Sequence, residues 1–253
     1  LGTLHNFKLL EIDMKNYILV HGAWGGAWEF DDVVNLLTKT GNKATAVDLP
    51  GHGKNQVPLA EITMQAYVNT LLNVIKKQDE RVILVGHSLA GAVIARVSEL
   101  APELIERLIF VAAVLPKNKQ SALELMQSDE HGLLPHVVFS EDQTYATVQD
   151  ETVRTRFLND VTDQKRLDKL VPDFLFAQAT EPFMATAQLS PERFGQVRKF
   201  YIRATVDKVL SPALQSEMLN SWEMEKVYNL KSGHFPLTSI PEELVEVLID
   251  ASN

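Results

Sequence analysis

The sequence predicts an α/β protein with a mostly parallel, doubly covered sheet of about six strands and one long insertion. Three observations carry that reading. Short β-rich runs alternate with stretches of helical period, most of the runs are continuously apolar, and the rhythm breaks once, between Pro116 and Arg198, before resuming.

In chain order the strand candidates are YILVHG from Tyr17, KATAVDL from Lys43, RVILVGH from Arg81, RLIFVAAV from Arg107, KFYIRAT from Lys199 and EKVYNL from Glu225. Runs that are apolar at every position suit strands covered on both faces. Between the first two, Phe30, Val33, Val34 and Leu37 recur at helical spacing. Met64, Tyr67, Val68, Leu71, Leu72 and Ile75 repeat that spacing behind Thr63, whose hydroxyl suits an N-cap. Ser211-Pro212 and Ile240-Pro241-Glu242-Glu243 read as helix starts. Proline at the first helical position lacks an N–H that would have no partner there, and acids favour the positive end of the helix dipole.

From Pro116 to Arg198 there are only helical fragments, a candidate hairpin (VVFS and TYATV) and scattered aromatics. Because the core pattern resumes at KFYIRAT, residues 116–198 are expected to lie on the sheet as a cap, with 14–115 and 199–253 forming the core. Residues 1–13 precede Met14 and read as a leader or tag-like extension, or as a continuation of the first strand.

Composition narrows the partners. The 253 residues hold 33 Asp plus Glu against 24 Lys plus Arg, and the net charge of −9 repels phosphate backbones and anionic lipid. No apolar run approaches the roughly 20 residues of a membrane span, so neither nucleic acid nor membrane is expected. MKNYILVHG resembles a signal peptide only superficially, because its apolar run ends after four residues. A cytoplasmic protein is expected, with a homodimer left open. The absence of cysteine fits a reducing compartment and removes thiolate nucleophiles and zinc-thiolate sites. There is no H-E-x-x-H, no G-x-G-x-x-G and no Walker sequence, so no metal and no cofactor is expected.

The segment RVILVGHSLAGAVIARVSEL places Ser88 at a sharp junction between a buried strand and a helix. A serine hydroxyl is a poor nucleophile unless it is held exposed, faced by a base and followed by a backbone N–H that can receive an oxyanion. The motif is G-x-S-x-A, with Ala90 where glycine is usual and Gly91 one residue later. The glycine-rich turn HGAWGGAW after the first strand offers Ala23 as one oxyanion donor, and Leu89 offers the other. For a nucleophile on such an elbow an acid and then a histidine follow at later strand ends. Asp207 in TVDKVLSP and His234 in SGHFPL meet that order, whereas the remaining histidines lie in turns, in the elbow, in the leader or in the insertion.

These residues resemble the α/β-hydrolase superfamily, and more closely its branch of plant methylesterases and hydroxynitrile lyases with related bacterial esterases. The similarity runs from about Tyr17 to the C-terminus, on VHGAWGGAW, KATAVDLPGHGKN, VGHSLAGAVIA, SPERFGQVRKFYI, TVDKVLSP and SGHFPL. It implies an α/β-hydrolase fold with Ser88 as nucleophile, His234 as base, Asp207 as its partner, and the Ala23 and Leu89 amides as the oxyanion hole. The lyases of this branch carry threonine at the position of Gly22 and lysine at that of Phe235, so the resemblance favours a carboxylesterase acting on small esters. Trp24, Phe139, Phe174, Phe183 and Phe235, with Tyr145, Phe157 and Phe176, are expected to build an apolar pocket for a small acyl or aryl ester. A lyase or carbon-carbon hydrolase on the same triad is the first rival, and a slow ligand-binding receptor the second.

Overall fold

Strands that are apolar on both faces belong in the middle of a covered sheet, and the computed structural model, which describes residues 14–253, puts them there. The extension expected over residues 1–13 lies outside the described residues. The strands are β1 (Asn16–Val20), β2 (Lys43–Val47), β3 (Val82–His87), β4 (Ile105–Val111), β5 (Val137–Phe139), β6 (Tyr145–Val148), β7 (Gln178–Ala179), β8 (Lys199–Ala204) and β9 (Lys226–Leu230). Six of them form one parallel sheet in the order β2-β1-β3-β4-β8-β9. Every residue of β3 is buried, and each Val, Ile or Leu so enclosed contributes about 1.5–3 kcal/mol. The edge strands differ: β2 and β9 keep exposed or half-buried positions, because no strand covers their outer side.

The main helices are α1 (Asp31–Lys39), α2 (Met64–Ile75), α3 (Ala90–Leu100), α4 (Ala122–Ser128), α5 (Gln164–Leu170), α6 (Pro212–Met218) and α7 (Pro241–Ser252). The helix starts read from the sequence take their expected form. Thr63 Oγ1 accepts the Ala66 N–H at 3.1 Å, Ser211 Oγ accepts the Leu214 N–H at 3.1 Å, and Pro241 opens α7. Helix α1 packs on α7 and α2 on α3, flanking the sheet.

Strand order decides where a site can form. From β1 the chain moves outward to β2, then returns to β3 on the other side of β1 and proceeds through β4, β8 and β9. The loops after β1 and β3 therefore diverge and leave a crevice at the carboxyl ends of these two strands. The turn carrying Ala23 and the one carrying Ser88 face each other across it.

Residues 116–198 contribute no strand to the central sheet. The expected hairpin forms as β5 and β6, and it gains a third antiparallel strand, β7, of only two residues. That strand is too short to leave a period in the sequence, but it directs Gln178 into the core. Gln178 Oε1 accepts the Trp24 N–H at 3.0 Å and its Nε2 donates to the Tyr67 hydroxyl at 3.2 Å. Trp24 Nε1 in turn donates to the Ala146 carbonyl at 3.3 Å, so the small sheet is bonded to the loop after β1. Among the described residues no helix is long and apolar enough to cross a membrane.

Candidate active site

Between the end of β3 at His87 and the start of α3 at Ala90 the chain must reverse within Ser88 and Leu89. The reversal is tight enough to put Ser88 in the left-handed region, at φ 52°, a conformation costing a non-glycine residue on the order of 1–3 kcal/mol. The turn is fixed by the Ser88 carbonyl, which accepts the N–H groups of Gly91 at 3.0 Å and Val114 at 2.9 Å. Helix α3 comes so close to the loop after β4 that a Cβ on Gly91 would lie 2.1 Å from the Val114 carbonyl oxygen. Ala90 is accommodated at 1% exposure. The need for a residue without a side chain therefore sits at Gly91, one position later than the usual motif places it.

His234 lies past β9, with its ring between Ser88 and Asp207. Its Nε2 is 2.9 Å from Ser88 Oγ and its Nδ1 is 2.8 Å from Asp207 Oδ2. Asp207 follows β8 and meets only donors. Oδ1 accepts the N–H groups of Val209 at 2.7 Å and Leu210 at 3.1 Å, and Oδ2 also accepts Gln215 Nε2 at 3.1 Å. An acceptor-only carboxylate requires the proton on His234 Nδ1, which leaves Nε2 as an acceptor for the Ser88 hydroxyl. The Ala23 and Leu89 amides have no protein acceptor among the described residues, and both border the cavity that contains Ser88 and His234.

The other histidines of the region are committed elsewhere. His21 Nε2 accepts the Leu49 N–H at 3.1 Å and its Nδ1 donates to the Gly22 carbonyl at 2.7 Å. Burial, with His52 nearby, lowers its pKa to about 3. His52 Nδ1 donates to the Gly25 carbonyl at 2.8 Å and its Nε2 pairs with the Tyr67 hydroxyl at 2.9 Å. Burial lowers its pKa as well. Both rings are neutral structural pieces of their turns.

The cavity at Ser88 is small, and apart from Ser88 and His234 its lining side chains are apolar. Of the aromatics expected there, Trp24, Phe157, Phe183 and Phe235 line it, Phe157 from a π-helical turn, Val153–Phe157. The other four expected aromatics lie outside this cavity. Phe139 sits on β5 at 43% exposure and lines a neighbouring surface pocket instead, because the edge of the small sheet turns it outward. Phe174 is buried behind the wall, its ring 5.1 Å from Phe235 and 5.6 Å from Phe157, where it supports the lining without reaching the cavity. Tyr145 is likewise exposed on β6, and Phe176 stacks edge-on against His52 at 5.4 Å.

The sequence reading missed the aliphatic lining, namely Val114, Met126, Leu133, Val209 and Leu210. It also missed Gln215, which is fully buried on α6. A signal for Gln215 existed: it falls between Leu214 and Met218 on the inward face of the helix, where a lone amide needs a polar partner.

A model described as "Alpha/beta hydrolase family" matches residues 17–247. The chain belongs to the alpha/beta hydrolase family. Among curated relatives, putative methylesterase 11, chloroplastic, of Arabidopsis thaliana is 31% identical over 96% of this chain. The chain spans 65% of that relative's length, and from 56% to 73% of four further putative methylesterases of the same plant. Polyneuridine aldehyde esterase of Rauvolfia serpentina is 29% identical over 94% of this chain and 96% of its own. Its crystal structure superposes with a TM-score of 0.82 over 95% of this chain and all of that one, at 26% identity. A pyrethroid hydrolase from Sphingobium faniae JZ-2 superposes with a TM-score of 0.84 over 94% of this chain and 98% of its own, also at 26% identity.

Proposed function

We propose that this hydrolase cleaves small carboxylic esters through an acyl-enzyme, with Ser88 as nucleophile, His234 as general base and Asp207 as the group that orients and stabilises His234. The observation that carries the reading is the continuous chain from Asp207 through His234 to Ser88, closed by hydrogen bonds of 2.8 and 2.9 Å beside two unpaired amides. Ser88 Oγ attacks the ester carbonyl carbon while His234 Nε2 takes its proton. The developing oxyanion is received by the Ala23 and Leu89 N–H groups, and losing one such donor typically costs on the order of 100-fold in rate. His234 then gives its proton to the departing alcohol oxygen. A water deprotonated by the same nitrogen attacks the acyl carbon and releases the acid.

Two features favour hydrolysis over cyanohydrin cleavage. A Cβ on Gly22 would lie 2.6 Å from Ser88 Cβ, so the threonine of the related lyases has no room here. The neighbour of His234 is the buried, apolar Phe235, which offers no positive charge to a cyanide leaving group. The names of the relatives, methylesterase and esterase, point the same way. In this reading residues 116–198 cap the cavity, the substrate is a small apolar ester, and the cysteine-free, acidic composition suits the cytoplasm.

The test is a series of p-nitrophenyl esters of increasing acyl length, hydrolysed by the wild type and by Ser88→Ala. Turnover by the wild type that Ser88→Ala loses supports the reading. Equal rates for the two proteins remove it, and mandelonitrile cleavage clearly faster than ester hydrolysis replaces it with the lyase.

A further inference from the structure

Glu29 lies in the motif GAWGGAWEF, at the start of the first helical segment after β1. Its carboxyl is completely enclosed, and neither oxygen has a hydrogen-bond partner among the described residues. The atom that faces it, 3.6 Å from Oε2, is Nδ1 of His87, itself buried and without a partner. The space is shaped for this carboxyl, because a Cβ on Gly25 would lie 1.6 Å from Oε1. On its other side the His87 ring points Nε2 at the backbone carbonyl of His234, 2.8 Å away.

The hydrogens follow from these contacts. A carbonyl oxygen can only accept, so His87 Nε2 carries a proton. A neutral ring then has a bare Nδ1 lone pair, which an ionised carboxylate would repel and a carboxylic acid O–H would satisfy. Burial agrees with the second arrangement. It pushes Glu29 well above the usual carboxylate range, outweighing a nearby Gly26 amide, and pushes His87 well below the usual imidazole range. The other titratable rings near His87 are His234, with centroids 4.8 Å apart, and His21.

We propose that Glu29 is a positioning residue for His234, acting through His87: its carboxyl O–H, on closing the 3.6 Å gap by a few tenths of an ångström, donates to His87 Nδ1 and so fixes the tautomer whose Nε2–H holds the His234 backbone. The consequence is both geometric and electrostatic. The loop that presents the His234 ring to Ser88 is tethered to the floor of the elbow, and His87 is kept neutral beside a ring that becomes cationic during turnover. This rests on the reading of His234 as the base.

The experiment compares wild type, Glu29→Gln, Glu29→Leu and Glu29→Met. Turnover is measured on a p-nitrophenyl ester, and ¹⁵N spectra of the histidine rings are recorded at pH 7. Glu29→Leu is expected to lower kcat about tenfold, with KM little changed, because the base is displaced but the cavity is not. Glu29→Gln, whose amide still donates, recovers most of the loss, and Glu29→Met serves if the leucine variant does not fold. His87 in the wild type and Glu29→Gln shows a bare Nδ1 and a protonated Nε2, whereas the apolar variants mix the two tautomers. A doubly protonated or Nδ1–H His87 in the wild type overturns the proposal. So does a His87 tautomer unchanged in the apolar variants, or a Glu29→Gln enzyme as slow as Glu29→Leu. If the wild type hydrolyses no ester, the proposed function fails, while the ring spectra still decide whether Glu29 sets the state of His87.

Discussion

Replacing Asp207 with asparagine keeps the shape of the side chain and exchanges one acceptor for a donor, and the surrounding bonds say which way the amide must turn. The position of Oδ1 faces two backbone donors, Val209 and Leu210 N–H, at 2.7 and 3.1 Å. The position of Oδ2 faces Gln215 Nε2 at 3.1 Å and His234 Nδ1 at 2.8 Å. Gln215 cannot reverse its own amide without loss, because its Oε1 accepts the Ala204 N–H at 3.1 Å. If the new NH₂ occupies the first position, two buried N–H groups are orphaned. If it occupies the second, one donor is orphaned and His234 must shift its proton from Nδ1 to Nε2, where it can no longer take a proton from Ser88. Each orphaned donor costs about 1–3 kcal/mol, so the unproductive orientation is favoured by roughly one such cost. Even the productive orientation offers the imidazolium a neutral oxygen in place of a carboxylate, a further loss of roughly 1–3 kcal/mol. The sum of about 2–6 kcal/mol corresponds to roughly 30-fold to 3 × 10⁴-fold in kcat, with KM little changed. Steady-state kinetics on a p-nitrophenyl ester, with thermal melting as a folding control, measures it. A loss of less than about tenfold in a folded variant would refute the claim that the Asp207 bond sets the working tautomer.

Three further outcomes follow from the same geometry. Gly22→Thr forces a Cβ to within 2.6 Å of Ser88 Cβ; displacing the nucleophile by this conflict is expected to lower ester kcat/KM by about 100-fold without creating mandelonitrile cleavage, and kinetics on both substrates checks it. Gln215→Leu removes the acceptor of Ala204 N–H and one donor to Asp207; a loss of about 1–3 kcal/mol in urea unfolding, together with a lower kcat, is expected. Stability falls on acidification, because His21, His52 and His87 have folded pKa values below the ordinary 6.5 and the unfolded chain takes up protons that the native state refuses. Each contributes a slope of about 1.4 kcal/mol per pH unit below the unfolded histidine pKa. Glu29 has the opposite sign, since its raised pKa keeps a proton in the native state that the unfolded chain releases above about 4.5. Between these limits Glu29→Gln should therefore steepen the acid loss, as urea titrations at several pH values would reveal.

How much was legible depended on whether a residue's task is local in sequence. The strand β3, the elbow at Ser88 and the caps at Thr63 and Ser211 announce themselves within a few residues, because burial period, a sharp turn and an N-cap are short-range demands. Asp207 and His234 were reachable because each follows a strand, and the parallel order of β3, β8 and β9 carries those strand ends to one side of the sheet. Residues 116–198 offered no such guide. Aromatics were assigned to the cavity by type, and the placement of Phe139 and Phe174 was decided by which side of a three-residue strand and a short turn each occupies.

Glu29 marks the boundary from the other direction. A charged letter at a helix start, beside Asp31 and Asp32, reads as an ordinary acid at the positive end of a dipole. Yet Asp31 and Asp32 are exposed and Glu29 is sealed, because the short helical turn Ala27–Phe30 ahead of α1 rotates position 29 inward beside Phe30. There it meets His87, the residue that sequence analysis set aside as part of the elbow. Two residues from separate turns thus form one buried pair only because β1 and β3 are adjacent, and that adjacency also brings Ala23 opposite Leu89. The strand order that opens the crevice at Ser88 is therefore the same order that closes the pocket beneath it.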